Sequence, residues 1–181
     1  MSAPALTALP KAHPPDLAPA GIYLQPGHIV VSARPSTVSA ILGSCLAVGL
    51  WDFSAGVGGL CHFLLPQWMG AGSASSPRFG NFAVGELLRQ VCEAGAARQR
   101  LFAKIFGGAS VLERGPEFEP ARIGRRNVEL ARSLLADAGI PILAEDVGGN
   151  RGRKLMFQTH DGNAWVKLLE SEGKEPKGSL G

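Results

Sequence analysis

The fold is decided by a stretch with the sequence LAVGLW (46–51), DFSAG (52–56) and VGGLCHFLL (57–65). Two apolar runs flank a group of turn residues, and Pro66 closes the second run. Apolar runs of strand length on either side of such a turn are typical of an antiparallel β-hairpin. We therefore predict two buried neighbouring strands at the centre of the protein.

The hairpin also predicts which side chains lie near one another. A turn centred between residues 54 and 55 places His62 opposite Ala47. Because successive side chains of a strand alternate between its faces, Cys45, Ala47 and His62 are expected on one face of the sheet. Cys45 and His62 would then be diagonal neighbours, about 7 to 8 Å apart at the backbone. A register shift of two residues would instead place them directly opposite each other.

The rest of the chain predicts further strands and two helices. A period near 3.6 indicates a helix from Asn81, its N-cap, to near Gly95, and a second helix over residues 127–138 with Gly139 as its C-cap. The predicted fold class is an α/β (α+β) layered sandwich with mixed β-sheets and flanking helices. Its other strands are expected near residues 27–31, 101–106, 140–145, 153–159 and 164–168.

Length and composition favour one globular domain. The chain has 181 residues, of which 45% are hydrophobic and 18% charged. Residues 1–21 are rich in Pro and Ala without apolar periodicity, so we predict a disordered N-terminal arm. A single catalytic domain is expected over residues 22–170, followed by a loose tail over 171–181.

Charge and cysteine content exclude several classes. The net charge is only +3 and the basic residues are dispersed, so nucleic acid is not an expected partner. The densest basic cluster, at residues 151–154, is interpreted as a solvated loop. Three cysteines without a secretory signal indicate reduced thiols in the cytoplasm, and no apolar run is long enough for membrane insertion.

The sequence LGSC (42–45) could carry chemistry, because its small residues let backbone N–H groups approach a ligand. A thiol beside an imidazole can be held as a thiolate–imidazolium pair, which lowers the cysteine pKa. The Cys45 thiolate would attack an amide carbon, the N–H groups of residues 43–45 would hold the oxyanion, and His62 would protonate the leaving nitrogen. The hydroxyl of Ser39 or Thr37 could orient the imidazole.

Structural interpretations stand beside these assignments. A cysteine among apolar residues is commonly inert core, and we assign Cys61 and Cys92 to that class. A histidine in a strand is commonly a hydrogen-bonded structural residue, and His28 and His160 have no evident partner in the sequence. The Cys61–His62 pair lacks a second pair with zinc-ligand spacing, so neither a metal nor any other cofactor is expected.

Six blocks of sequence occur in the order LGSC (42–45), His62 with LLP (64–66), RFGN (78–81), KIFGGA (104–109), IGRRNV (123–128) and AEDVGGNRGRK (144–154). In this order and spacing, the chain resembles the chemoreceptor glutamine deamidases called CheD over about residues 25–168. That resemblance implies a Cys-His-Thr triad, with Cys45 and His62 at the positions of the nucleophile and the base. The triad threonine falls on Ser39, which keeps the hydroxyl but lacks the methyl group that restricts its rotamers. Thr37 is the alternative.

The resemblance also implies a layered fold shared with deamidating bacterial toxins. The expected function is conversion of specific glutamines to glutamate, through a cysteine thioester, on the cytoplasmic helical region of methyl-accepting chemotaxis receptors. A CheC-type phosphatase binds some members of the family over the same cleft, so it is a second expected partner. The alternatives are a regulatory binding module, which docks on receptors or on such a phosphatase with little catalysis, and a protease with the same Cys-His pair.

Overall fold

The computed structural model of the protein describes residues 21–68, 75–110 and 119–170. The predicted tail over 171–181 and, apart from Gly21, the predicted arm over 1–21 lie outside these residues. In chain order the strands and α-helices described are β1 (Ile22–Tyr23), β2 (His28–Ser32), β3 (Thr37–Leu42), β4 (Leu46–Asp52), β5 (Val57–Phe63), α1 (Gly80–Glu93), β6 (Phe102–Gly107), α2 (Glu119–Asp137), β7 (Ile142–Val147), β8 (Arg153–Gln158) and β9 (Ala164–Leu168).

The strands form two mixed sheets. One has four strands in the order β1-β3-β8-β9, and the other has five in the order β2-β5-β4-β6-β7. Strands β1 and β3 run parallel, as do β6 and β7, and the remaining neighbours are antiparallel. The predicted fold class, a layered sandwich with mixed sheets and flanking helices, is confirmed.

Two hydrophobic clusters hold the three layers together. The first, the inter-sheet cluster, lies between the two sheets. The second, the helix-side cluster, lies between the five-stranded sheet and helices α1 and α2 and includes Val48, Cys61, Leu87 and Leu135. Burial of each large apolar side chain in these clusters stabilises the folded state by about 1.5–3 kcal/mol relative to exposure of that side chain to water. The inter-sheet cluster contains Leu24, Val38, Ala40, Leu42, Ala47, Trp51, Leu60, Phe106, Leu155, Phe157 and Ala164.

The predicted hairpin is formed by β4 and β5, with His62 opposite Ala47 as expected. Every residue of both strands is buried, because the five-stranded sheet is covered on one face by helices and on the other by the second sheet. The first strand that was predicted, near residues 27–31, pairs with the outer side of β5. The hairpin is therefore in the middle of the sandwich, and its register fixes the site.

The helices differ from the prediction at their beginnings. Helix α1 begins at Gly80 after an extended Phe79 that makes no side-chain capping bond, so the assignment of Asn81 as N-cap is wrong. Helix α2 begins at Glu119, eight residues before its predicted start at Asn127. The prediction began where the apolar stripe becomes continuous, and the earlier turns are rich in Arg and carry Gly124. None of the described helices is long and apolar enough to span a membrane.

Candidate active site

Cys45 lies in a bend where the chain passes from one sheet to the other. Leu42 is the last residue of β3 in the four-stranded sheet, and Leu46 is the first residue of β4 in the five-stranded sheet. Cys45 is half-buried and unpaired. The sequence Gly43-Ser44 therefore forms the crossing that carries the thiol at one end of the sandwich.

The turn after β6 holds this bend through two main-chain hydrogen bonds. The N–H of Gly108 donates to the carbonyl oxygen of Cys45 at 2.8 Å, and the N–H of Ala109 donates to that of Gly43 at 2.8 Å. Gly107 and Gly108 both have positive φ, 111° and 66°, a conformation that favours glycine. A side chain at Gly107 would also meet the Cys45 carbonyl oxygen at 2.3 Å. The two glycines let the turn lie directly against the bend.

A side chain from α2 holds the third carbonyl of the bend. The Nδ2 of Asn127 donates to the carbonyl oxygen of Ser44 at 3.1 Å and to that of Leu64, just after β5, at 3.0 Å. Asn127 is fully buried, and its Oδ1 has no hydrogen-bond partner within residues 21–68, 75–110 and 119–170. One amide thus ties the residue before Cys45 to the end of the strand that carries His62.

All three carbonyls of residues 43–45 are consequently bound within the protein. Apart from the interaction of the Cys45 N–H with its own sulfur, their N–H groups make no hydrogen bond in the described part of the chain. Three successive N–H groups beside a thiol are suitable donors for the negative charge that develops on a carbonyl oxygen during acyl transfer.

His62 is a fully buried residue of β5. It lies on the same side of the strand as Leu60, which belongs to the inter-sheet cluster, and opposite Ala47. Its Nδ1 contacts the carbonyl oxygen of Leu24 at 3.3 Å, whereas its buried Nε2 has no partner in the part of the chain that the structure describes. Because a carbonyl can only accept, Nδ1 carries the proton and Nε2 keeps the basic lone pair.

The pKa shifts of Cys45 and His62 have the opposite direction to those expected for a thiolate–imidazolium pair. Burial raises the pKa of the Cys45 thiol, an effect only partly offset by its own N–H. Burial also lowers the pKa of His62, with the Leu24 carbonyl acting in the opposite direction. No hydrogen bond joins the thiol to the imidazole in the described residues. Burial therefore favours the neutral form of each group, since transfer out of water disfavours the charged form.

Ser39 and Thr37 both lie on β3. They alternate with the fully buried Val38 and are themselves half-buried, so they belong to the opposite face of the strand. The Ser39 hydroxyl makes no hydrogen bond to the described residues, but its carbonyl oxygen accepts from the N–H of Leu24 at 2.8 Å. Ser39 is thus connected to His62 through the Leu24 peptide, and a direct role of its hydroxyl stays a prediction.

The side chains of the other two cysteines lie on the helix side of the five-stranded sheet. Cys61 is fully buried in the helix-side cluster, where burial raises its pKa to about 12, and Cys92 packs against the same cluster. Since neighbouring residues of a strand point to opposite faces, Cys61 and His62 cannot together bind one metal ion. Both cysteines occupy the core positions expected for them.

The basic cluster at 151–154 is not simply a solvated loop, so that interpretation is wrong for one of its residues. Arg153 is only 2% exposed, and its guanidinium bonds to the carboxylate and carbonyl oxygens of Asp146 and to the carbonyl oxygen of Gly148. Lys154 is exposed, as expected. Arg153 joins the start of β8 to the turn after β7, and a buried arginine commonly needs such partners.

Three residues near the pair were not selected from the sequence. Leu24 acts through its main chain, and His28 lies directly opposite His62 in the pairing of β2 with β5, which no short-range pattern predicts. Asn127 did leave a signal. It interrupts the apolar positions of α2 beside Val128, and a polar residue on a buried helix face needs an internal partner.

A half-buried cysteine with bound carbonyls thus precedes β4, and a histidine whose Nε2 has no partner among the described residues pairs with that strand. A thiol and an imidazole are the two groups that cysteine-dependent acyl transfer uses. Residues 64–168 match the family model described as CheD chemotactic sensory transduction. A protein of Anaeromyxobacter dehalogenans named "Probable chemoreceptor glutamine deamidase CheD 1" is 50% identical over 83% of this chain and 85% of its own length. A second relative, a protein of Trichlorobacter lovleyi named "Probable chemoreceptor glutamine deamidase CheD", is 44% identical over 77% of this chain and 85% of its own length. This chain belongs to the CheD family.

Among solved structures, YlmD from Geobacillus stearothermophilus is similar with a TM-score of 0.44 and 15% sequence identity. The similarity covers 78% of this chain and 61% of that chain. A similarity of this extent does not bear on the activity.

Proposed function

We propose that this protein is a glutamine deamidase of bacterial chemotaxis that converts specific glutamine side chains of chemoreceptors to glutamate, with Cys45 as nucleophile and His62 as base. The observation that supports the proposal is that His62, whose Nε2 has no partner among the described residues, pairs with Ala47, two residues after Cys45. The named activity of relatives up to 50% identical supports the reaction and its substrate.

In the first half of the reaction, the Cys45 sulfur attacks the carboxamide carbon of glutamine while its proton passes to Nε2 of His62. The carbonyl oxygen becomes an oxyanion that the N–H groups of residues 43–45 can hold. The imidazolium then returns the proton to the nitrogen, the C–N bond breaks, and ammonia leaves. A thioester between Cys45 and the substrate remains.

In the second half, a water molecule gives a proton to Nε2 of His62 and attacks the thioester carbon. The C–S bond breaks, the sulfur regains its proton from the imidazolium, and glutamate is released. The carbonyl of Leu24 keeps the base on Nε2 throughout both halves, because it binds the proton on Nδ1. The main chain of Ser39 is proposed to support the same imidazole, because its carbonyl oxygen accepts from the N–H of Leu24.

The proposed substrate region is the cytoplasmic helical part of methyl-accepting chemotaxis receptors, which places the enzyme in the cytoplasm. A CheC-type phosphatase is the second proposed partner, at the cleft that contains Cys45. Neither partner requires a cofactor in this mechanism, since the chemistry uses only a thiol, an imidazole and main-chain N–H groups.

The test is to incubate the purified protein with a purified cytoplasmic receptor fragment and to measure ammonia together with the intact mass of the fragment. Deamidation adds about 1 Da per site through a thioester that Cys45 must form. Cys45→Ala should abolish both signals without unfolding the protein. Cys92→Ala is the matched control and should keep them, because Cys92 packs against the helix-side cluster. Cleaved fragments would identify a protease instead.

One observation favours the alternative of a regulatory binding module. Burial raises the pKa of the Cys45 thiol and lowers the pKa of His62, and the two side chains make no hydrogen bond to each other in the described structure. A module of this kind would bind the receptor fragment while releasing no ammonia, and Cys45→Ala would leave its binding unchanged. The same mass measurement, combined with a binding titration, separates the two functions.

A further inference from the structure

Asn127 joins the two chain segments that carry the reactive pair. Its single Nδ2 donates one hydrogen bond to the Ser44 carbonyl, at 3.1 Å, and one to the Leu64 carbonyl, at 3.0 Å. A carboxamide nitrogen has two protons in one plane, so both are used. Aspartate has no such donors when ionised, and alanine has none. The amide is fully buried, so water does not compete for either carbonyl.

The hydrogen bond to Ser44 has a geometric consequence for the next residue. In a trans peptide the C=O and the following N–H point in opposite directions, and none of the described peptide bonds is cis. A Ser44 carbonyl directed at Asn127 therefore directs the Cys45 N–H away from α2. That N–H also interacts favourably with the ionised Cys45 sulfur, which places it on the side of the thiol.

The helix that carries Asn127 is fixed against the same bend. Gly124, one turn earlier on α2, lies so close to Gly108 that an added Cβ would be 2.6 Å from the Gly108 carbonyl oxygen. Gly108 in turn donates to the Cys45 carbonyl. The close contact between Gly124 and Gly108 thus fixes the distance between the backbone of α2 at Asn127 and the Cys45 bend. The Oδ1 of Asn127 has no partner among the described residues, so within them the two donated bonds are the polar contacts of the Asn127 side chain.

We propose that Asn127 is a positioning residue whose carboxamide holds the Ser44–Cys45 peptide in the orientation that presents the Cys45 N–H to the developing oxyanion, and that keeps Cys45 in register with the strand of His62. This inference rests on the proposed function and assigns the residue that prepares its oxyanion donor. Asn127 acts from behind the bend and does not contact the substrate.

The experiment compares Asn127→Ala with the wild type and with Leu135→Ala. Leu135 is a fully buried residue about two turns further along α2, so its truncation loosens the same helix without touching the bend. We expect Asn127→Ala to lower kcat for ammonia release by roughly 10²–10³-fold, the loss that follows removal of one oxyanion donor, with KM changed by less than about threefold. Leu135→Ala should keep kcat within about threefold of the wild type when both are folded.

Alkylation of Cys45 by iodoacetamide, followed by peptide mass spectrometry, separates positioning from general damage. Alkylation uses the thiolate but forms no oxyanion, so its rate in Asn127→Ala should stay within about threefold of the wild type. Asn127→Asp adds a pH signature. A buried carboxyl gains one donor only when protonated, so its kcat relative to the wild type should rise as the pH falls.

The proposal is overturned if a folded Asn127→Ala keeps its kcat, or if its kcat and its rate of Cys45 alkylation fall together. A wild type that releases no ammonia contradicts the proposed function instead. In that case the NMR chemical shifts of the Cys45 amide ¹⁵N and the Ser44 carbonyl ¹³C test whether Asn127 orients the Ser44–Cys45 peptide. Both chemical shifts should change in Asn127→Ala and remain unchanged in Leu135→Ala. Unmoved shifts in Asn127→Ala overturn the inference.

Discussion

The Nδ1 of His62 contacts the carbonyl oxygen of Leu24 at 3.3 Å. This contact joins β5 of the five-stranded sheet to the segment after β1 of the four-stranded sheet. A backbone carbonyl accepts hydrogen bonds at every pH and cannot be lost by a side-chain substitution. The orientation of the imidazole is therefore set by the packing of the two sheets.

The first prediction concerns Ser39. Its carbonyl oxygen, which accepts from the Leu24 N–H, is retained in Ser39→Ala, and its hydroxyl makes no hydrogen bond in the described structure. We expect Ser39→Ala to keep turnover within about threefold of the wild type, as should Thr37→Ala measured in parallel. A fall of roughly 10- to 100-fold in a folded Ser39→Ala would show that the hydroxyl orients the base in the reacting enzyme, as the sequence predicts.

The second prediction concerns the pH dependence of Cys45 alkylation. Burial raises the pKa of this thiol above its ordinary value, so the thiolate fraction is small at neutral pH and increases as the pH rises. The rate of iodoacetamide alkylation at Cys45 should still be climbing at pH 9. A rate that is already constant between pH 6 and 8 would show that the thiol is ionised in the resting protein, as in the thiolate–imidazolium pair that the sequence predicts.

The third prediction concerns stability in acid. Burial lowers the pKa of His62 below that of an unfolded histidine, so between these two values the unfolded chain binds more protons than the folded one. The contribution of neutral His62 to the free energy of unfolding is therefore fully present above the pKa of an unfolded histidine, about 6.5. It is lost as the pH falls from there through the lower pKa of the folded protein. Urea unfolding at pH 7.5 and 5.5 should show this loss.

The matched variant for that measurement is His62→Gln, which cannot titrate. Its free energy of unfolding should change less between the two pH values than that of the wild type. The other histidines remain in both proteins, so the difference isolates residue 62. An equal pH dependence in the two proteins would mean that protonation of His62 costs nothing in the folded state.

The hairpin shows how much of the site the sequence could predict. The turn at Asp52–Gly56 fixes the pairing of Ala47 with His62, because a short loop leaves few registers. The destination of β3 was not predictable in this way. It turns away from β4 and pairs with β8, more than a hundred residues later, with Ala40 opposite Leu155. Local patterns carry no information about such a partner.

The same limit explains why the neighbours of the pair were missed. The Leu24 carbonyl and the Asn127 amide reach His62 and Ser44 from segments distant in sequence. The pKa directions were missed for a related reason. The sequence shows that a thiol and an imidazole are close, but the balance between their attraction and their desolvation depends on how deeply the two sheets and α2 cover them.

The last prediction compares two glycines in helices. A Cβ at Gly124 would lie 2.6 Å from the carbonyl oxygen of Gly108, which is backbone and cannot rotate away. Gly124→Ala should therefore push α2 from the turn that binds the Cys45 carbonyl, cost about 1–3 kcal/mol of stability and lower turnover. A Cβ at Gly85 on α1 meets nothing within 4 Å.

Gly85→Ala is thus the matched control, and it should stabilise the protein by about 0.5–1 kcal/mol through the better helix propensity of alanine. Its turnover should equal that of the wild type. Thermal unfolding and ammonia release, measured on both variants, check the pair. If Gly124→Ala were as stable and as active as Gly85→Ala, the close contact between α2 and the Gly107–Gly108 turn would not be what holds the Cys45 bend in place.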